Sequence, residues 1–169
     1  MLQKIYPKIV VVDEFDNVIG AEFLPDANAK GMMKRAVAVY VFNELGELLV
    51  QQRGAEVNHP LKFDQSAGGH VDEGQSYHEA ALRELSEELH LEGYTLEEIG
   101  APVKIPHYFQ ATYRISISKS TPIVFDPHEL TQVMWMKPSE VDTLMAESPE
   151  KFAPAFLQVW PQLRDKLIS

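Results

Sequence analysis

Residues Gly68–Leu91 read GGHVDEGQSYHEAALRELSEELHL, and the rest of the chain is arranged around them. Two glycines and a short acidic segment lead into a helical pattern. Ala81, Leu85 and Leu89 recur four apart, with Leu82 beside them, as an apolar stripe. Glu79, Arg83 and Glu87 fall on one line of the same helix, and Glu84 and Glu88 on the adjacent one. Residues four apart stand one turn above each other, so the carboxylates form a compact acidic face. Like charges at that spacing cost a bare helix roughly 0.2–0.5 kcal/mol per pair, and Arg83 offsets only part of this. A divalent cation would turn the surplus into a binding site. The plainer reading is a solvated face built from good helix formers. Two features argue against it. Gly68 and Gly69 put close-approach backbone just before the helix, and the carboxylates are packed at both three- and four-residue spacing around one turn.

A chain of 169 residues is long enough for a sizeable core and is most economically one domain, 1–169. An apolar share of 45% with 24% charged residues is ordinary for a soluble globular protein. No apolar run is long enough to span a membrane. The opening MLQKIYPKIVVV runs into acidic DEFD with no small-residue cleavage site, so it does not read as a leader, and the chain is expected in the cytoplasm. Cysteine is absent, which excludes disulfides, a thiol nucleophile and thiolate metal ligands. The formal charge of -10 argues against nucleic acid as a partner, but a small phosphorylated substrate is still allowed, because a bound cation reverses the local potential.

Upstream, Lys8–Val12 and Val18–Phe23 flank the turn-like Asp13–Asn17 and predict a β-hairpin. Pro25–Lys30 reads as a loop. Arg35–Asn43 is the strongest strand. Val37, Val39 and Val41 lie on one face and Ala38, Tyr40 and Phe42 on the other, so both sides are expected to be covered. Leu48–Arg53 is its return strand, and Arg53–Asp64 a loop. Downstream, Gly93–Gly100 reads as a turn, Tyr108–Ser116 and Val133–Met136 as strands, and Val124–Leu130 as a loop. Ser139–Glu147 reads as a helix capped by Ser139. A last helix lies within Pro149–Leu167, where Pro161 is expected to kink or split it. Together these predict an α/β fold in α-β-α layers around a mixed sheet.

From Gly69 to Leu91 the chain resembles the signature of the Nudix hydrolases: a Gly, a Glu, an Arg-Glu-aliphatic triplet, a Glu-Glu pair and a Gly-aliphatic pair at fixed spacings. Gly69, Arg83, Glu84, Leu85, Glu87, Glu88 and Leu91 occupy the matching positions, while Gln75 replaces the first Glu and His90 the late Gly. The resemblance implies a Nudix fold, a curved mixed sheet between helices with the signature as loop-helix-loop. It also implies a Mg²⁺- or Mn²⁺-dependent hydrolase of a diphosphate linkage, in a nucleoside di- or triphosphate derivative or a related small molecule. Hard cations of this kind take oxygen ligands and bridge carboxylates to phosphates. Carried onto this chain, Glu87 and Glu88 are the principal metal ligands. Glu84 is a further ligand or orienting group, Gly69 a carbonyl ligand, and Arg83 holds Glu87 in place. Gln75 keeps a carbonyl to hydrogen-bond Arg83 but no charge, which leaves Glu73 or Glu79 to supply one. Glu129 stands where such enzymes place a loop carboxylate acting as base or ligand, with His128 adjoining it; the plainer reading is an exposed carboxylate. Relatives are often dimers, so a homodimer is the assembly implied.

Asp13–Gly20, Lys34-Arg35-Ala36, Gln51-Gln52-Arg53 and Asp64–Val71 are similar to the branch that holds isopentenyl-diphosphate isomerase and its uncharacterised hydrolase relatives. The similarity covers roughly residues 8–140. The isomerase uses a cysteine and a histidine-rich metal site. Here cysteine is absent, His70 matches one histidine, and Asn28 and Lys34 stand where two others are expected. The resemblance therefore implies hydrolysis and not isomerisation. Arg53, Lys34 and His70 are the candidate phosphate contacts, whereas Lys62 reads as a surface charge. Tyr40, Phe63, Tyr108 and Phe109 could stack on a base, although core packing is the commoner fate of strand aromatics. Gln75 and His90 support one alternative, a ligand-binding Nudix-like domain with little turnover.

Overall fold

The computed structural model describes residues 6–169; the first residues of the segment read as not being a leader lie outside the described residues. The hairpin forms as expected from β1 (Ile9–Val12) and β2 (Val18–Glu22), antiparallel. Pro25–Lys30 is not a loop, because α1 spans Leu24–Ala29. Proline is compatible with a first helical turn, where its missing N–H costs nothing, and Ala27 is fully buried.

The centre of the sheet is β3 (Met33–Phe42). It pairs antiparallel with β1, with β4 (Leu48–Arg53) through Phe42↔Leu48 alone, and with β6 (Ala67–His70). Along its whole length it pairs parallel with β9 (Tyr108–Ser116), from Lys34↔Tyr108 to Phe42↔Ser116. Because β3 meets β4 at one end only, the sheet is open between them, and β5 (Phe63–Asp64) and β6 pass through that opening. The two-residue β7 (Glu97–Glu98) and three-residue β8 (Val103–Ile105) both pair antiparallel with β9, so the segment Gly93–Gly100 is part strand and not only a turn. β10 (Leu130–Met136) pairs with β4 and begins three residues before the predicted strand.

Alternation on β3 sorts two cores. Val37, Val39 and Val41 pack with Ala81, Leu85 and Leu89 of α2 (Tyr77–Leu89). Ala38, Tyr40 and Phe42 pack with Val141 of α3 (Pro138–Glu147) and with Phe156, Val159, Trp160 and Leu163 of α4 (Pro154–Ile168). Helices therefore cover both faces of a mixed sheet, as a strand apolar on both sides requires. Leu82 is exposed and lies off the stripe; Ala80 takes the buried place beside Ala81. α3 begins at Pro138, one residue earlier than predicted, and the Glu140 carboxylate accepts a 2.7 Å hydrogen bond from the Lys137 N–H. Pro161 does not split α4. It removes one ladder hydrogen bond on the exposed side, and burial of Phe156, Val159, Trp160 and Leu163 outweighs that loss.

Candidate active site

The signature helix α2 starts where it does because Ser76 and Glu79 cap each other. The Ser76 hydroxyl accepts from the Glu79 N–H at 3.1 Å, and the Glu79 carboxylate accepts from the Ser76 N–H at 2.7 Å. Glu79 is thus committed to the cap and does not supply the charge missing at Gln75. The helix end is equally defined. His90 takes the left-handed conformation, φ 51°, at the position where the signature carries a glycine. A further clamp sets the helix on the sheet: Asp16 accepts from Arg35 Nε at 2.8 Å and from the Tyr77 hydroxyl at 2.9 Å, tying the hairpin, β3 and α2 together.

Arg83 is the hub of the acidic face. It reaches Glu84 at 2.9 Å, Glu87 at 3.1 Å and Asp72 at 3.3 Å, and it donates to the His70 carbonyl at 2.9 Å. Its Nε also donates to Gln75 Oε1 at 3.3 Å, the bond anticipated from sequence. Asp72 therefore brings to Arg83 the charge that Gln75 lacks. Glu88 is held from the opposite side by Gln51 Nε2 at 2.8 Å and the Gly68 N–H at 3.2 Å. Gly69 is a glycine for want of room: a Cβ there would stand 2.2 Å from Glu84 Oε1 and 2.5 Å from its carboxyl carbon.

Glu84, Glu87, Glu88, Gly69, Arg83, Arg53, His70 and Glu129 all line one cleft of about 580 Å³. Glu129 enters it from the loop preceding β10, and its carbonyl accepts from the Gly54 N–H at 2.7 Å, which fixes that loop against the end of β4. His128 stays outside. Arg53 reaches the cleft while paired with buried Asp64 at 3.0 Å. Lys34 does not reach it; it lines a neighbouring chamber and donates to Asn28 Oδ1 at 2.7 Å. Lys62 binds the Glu150 carbonyl on the surface, as read. Tyr40 and Phe109 are core residues, and Tyr108 lies against His70 with ring centroids 6.2 Å apart. Sequence reading missed Asp72 and Gln51. Gln51 stands in the quoted Gln-Gln-Arg run, but only the fold aims it at Glu88.

Burial pushes Glu84 up to about 7, against the pull of Arg83, and proximity of Glu87 adds to the rise. Glu88 is also raised well above the ordinary carboxyl value, first by burial and then by Glu84. His70 is driven down to about 4 by burial and by Lys34, so it is neutral at pH 7. Between the ordinary carboxyl value of 4.5 and about 7, the folded state holds more protons on the glutamates than the unfolded chain. Their contribution to stability therefore falls as pH rises through that window, while neutral His70 contributes a slope of opposite sign. Comparison with Glu88→Gln isolates the glutamate term. In EDTA this variant is expected to unfold close to wild type near pH 5 and to be more stable than wild type near pH 8. Urea melts at the two pH values measure it, and equal destabilisation at both would contradict the assignment.

The Nudix domain profile matches residues 32–156, most of the chain, and this segment contains Gly69, Arg83, Glu84, Glu87, Glu88 and Glu129 of the cleft. The chain belongs to the Nudix family. An uncharacterised Nudix hydrolase of Yersinia pestis is 33% identical over 138 residues, covering 78% of this chain and 73% of that protein. An isopentenyl-diphosphate Delta-isomerase of Nocardia farcinica is 30% identical over 162 residues, covering 89% and 91%. A crystal structure of a Deinococcus radiodurans protein superposes with a TM-score of 0.81 at 22% identity, covering 92% of this chain and 98% of that one, and shares the fold. The Nudix assignment makes this chain a hydrolase acting on pyrophosphate bonds. Among the described residues no helix is long and apolar enough to cross a membrane.

The divalent cation that the family implies is tested by the donors present. Among the described residues no group of three or more acidic or histidine side chains stands together in an arrangement that could hold a metal ion. The donors are nonetheless hard oxygens. Two of the carboxylates are buried side by side, and Glu87, whose side chain is 59% exposed, is turned onto Arg83. Such a donor set fits a Mg²⁺ or Mn²⁺ ion that keeps several waters.

Proposed function

We propose that this Nudix protein hydrolyses a diphosphate linkage in a nucleoside di- or triphosphate derivative, or a related small molecule, with Mg²⁺ or Mn²⁺ held by Glu84, Glu87, Glu88 and the Gly69 carbonyl. The observation that carries the reading is the gathering of these groups with Glu129 and Arg53 around one cleft. When bound, the cation supplies neutralisation of diphosphate oxygens and a lowered pKa for the attacking water. Arg83 positions Glu87 and Glu84, while Gln51 and the Gly68 N–H hold Glu88. Glu129 faces the same space and takes the proton of the attacking water. Arg53 and neutral His70 donate to phosphate oxygens, His70 as a hydrogen-bond donor without charge. Residues 1–169 are read as one domain, working in the cytoplasm and as a homodimer.

Isomerisation finds no support in the residues. The chain has no cysteine, and Asn28 and Lys34 are bonded to each other where the isomerase resemblance expects imidazole ligands. The test is a panel of nucleoside triphosphates, nucleoside diphosphate sugars, dinucleotides and isoprenoid diphosphates, assayed with Mg²⁺, with Mn²⁺ and in EDTA. Cleavage of one class with metal and none in EDTA is expected. Silence across the panel while the protein still binds metal would favour the alternative of a ligand-binding domain with little turnover.

A further inference from the structure

A second cavity of about 460 Å³ adjoins the glutamate cleft, sharing Arg53, Gly68, Gly69 and His70 with it. Strand alternation builds its floor. Lys34 and Ala36 project from the α4 side of β3, and in parallel register beside them stand Tyr108 and Gln110 of β9. Val39 and Val41, on the opposite face of β3, pack with α2 instead. The small residue Ala36 lies among the longer Lys34, Tyr108 and Gln110 in the lining.

Three features of this chamber point to an anion. Lys34 is 3% exposed, and among the described residues its ammonium has no carboxylate partner, only Asn28 Oδ1 at 2.7 Å. Burying a charge without a counter-charge is costly unless a ligand supplies one. Gln110, 2% exposed, also lines the chamber, and its Nε2, a donor, has no hydrogen-bond partner. The third feature is the start of α4. Ala153, Pro154 and Ala155 line the chamber, no side chain caps this end, and first-turn N–H groups have no acceptor within their own helix. Asp64, the carboxylate of the lining, is already paired with Arg53.

We infer that this chamber is an oxyanion site, in which Lys34, Gln110 and the first turn of α4 hold a phosphate or carboxylate that the substrate carries in addition to the diphosphate at the glutamates. That the anion belongs to the substrate rests on the function proposed above; that the chamber binds an oxyanion does not. The site would confine the enzyme to substrates with a further anionic group, because compounds without one leave Lys34 buried and unpaired.

The experiment is calorimetric titration of inorganic phosphate, and separately of acetate, into the full chain in EDTA, where without a cation the glutamate cleft repels anions. Phosphate is expected to bind to the wild type and to Glu87→Gln alike. Lys34→Met should weaken it by about tenfold or more, the size of one charge-assisted hydrogen bond. Gln110→Leu should weaken it by less and serves as the second variant should Lys34→Met fail to fold. Tighter binding of phosphate than acetate assigns the distal group as a phosphate, and the reverse assigns a carboxylate. Failure of both anions to bind the wild type, or equal binding by both variants and the wild type, overturns the inference. Neither result depends on hydrolysis, so a silent substrate panel would remove the proposed function and leave this test standing.

Discussion

Replacing Glu87 by Gln is expected to lower kcat/KM by roughly a hundredfold or more while leaving the fold almost as stable as before. The two halves of that expectation have separate causes. Glu87 is the most exposed of the three glutamates, and among the described residues its ion pair is to Arg83 at 3.1 Å. A half-exposed pair of this kind contributes about 0–1 kcal/mol, and Arg83 keeps Glu84, Asp72 and the His70 carbonyl when it is lost. The functional half follows from charge. Glutamine preserves shape and one acceptor oxygen but not the negative charge that holds a hard cation against a diphosphate. Steady-state kinetics with metal, beside a urea melt, measure both halves. Activity within a few-fold of wild type would remove Glu87 from the proposed ligand set.

The second large effect is steric. In Gly69→Ala the new methyl would occupy the place of the Glu84 carboxylate, 2.2 Å from Oε1 and 3.0 Å from Oε2. Glu84 cannot simply step aside, since it is 9% exposed and tied to Arg83 at 2.9 Å. Either that ion pair breaks or β6 moves away from α2, at a cost of about 1–3 kcal/mol. Both displace the Gly69 carbonyl or Glu84 relative to Glu88, and a shift of that size lowers activity by about a hundredfold. Gly20→Ala is the matched control. It also lies on a strand, but nothing stands within 4 Å of its added Cβ, and it should change stability by no more than about 0.5 kcal/mol. Comparable losses in both variants would show that the Gly69 contact is not the cause.

Much of this was legible in the chain. The double-sided apolar pattern of Arg35–Asn43 could only belong to a strand covered on both faces, and the two cores divide its side chains as the alternation predicts. The spacing of Arg83, Glu84, Glu87 and Glu88 placed them on adjoining lines of one helix, and the helix does present them to a single cleft. Local readings failed where tertiary contacts outvoted propensity. Asp, Asn and Pro made residues 25–30 read as a loop, yet burial of Ala27 holds them helical. Pro161 should interrupt a helix, yet four large buried side chains keep α4 whole.

Arg83 shows most clearly where sequence reading stops. Its pairing with Glu87 follows from helical geometry, and its bond to Gln75 was foreseeable, but Asp72 is brought to it only by the turn that closes β6 onto α2. Lys34 teaches the same lesson from the other side of the sheet. Its position in the chain suggested a phosphate contact, while its burial next to Gln110 arises from β9 pairing parallel to β3 across more than seventy residues of intervening chain. The sequence by itself determined the periodic features, namely the strand alternation, the acidic helix and the glycines before it, because those depend on neighbours within one or two turns. Only the tertiary structure decided which carboxylates are buried together, which loop brings Glu129, and which buried cation is left, among the described residues, without a carboxylate. Those depend on what the fold removes from water, and no local spacing records it.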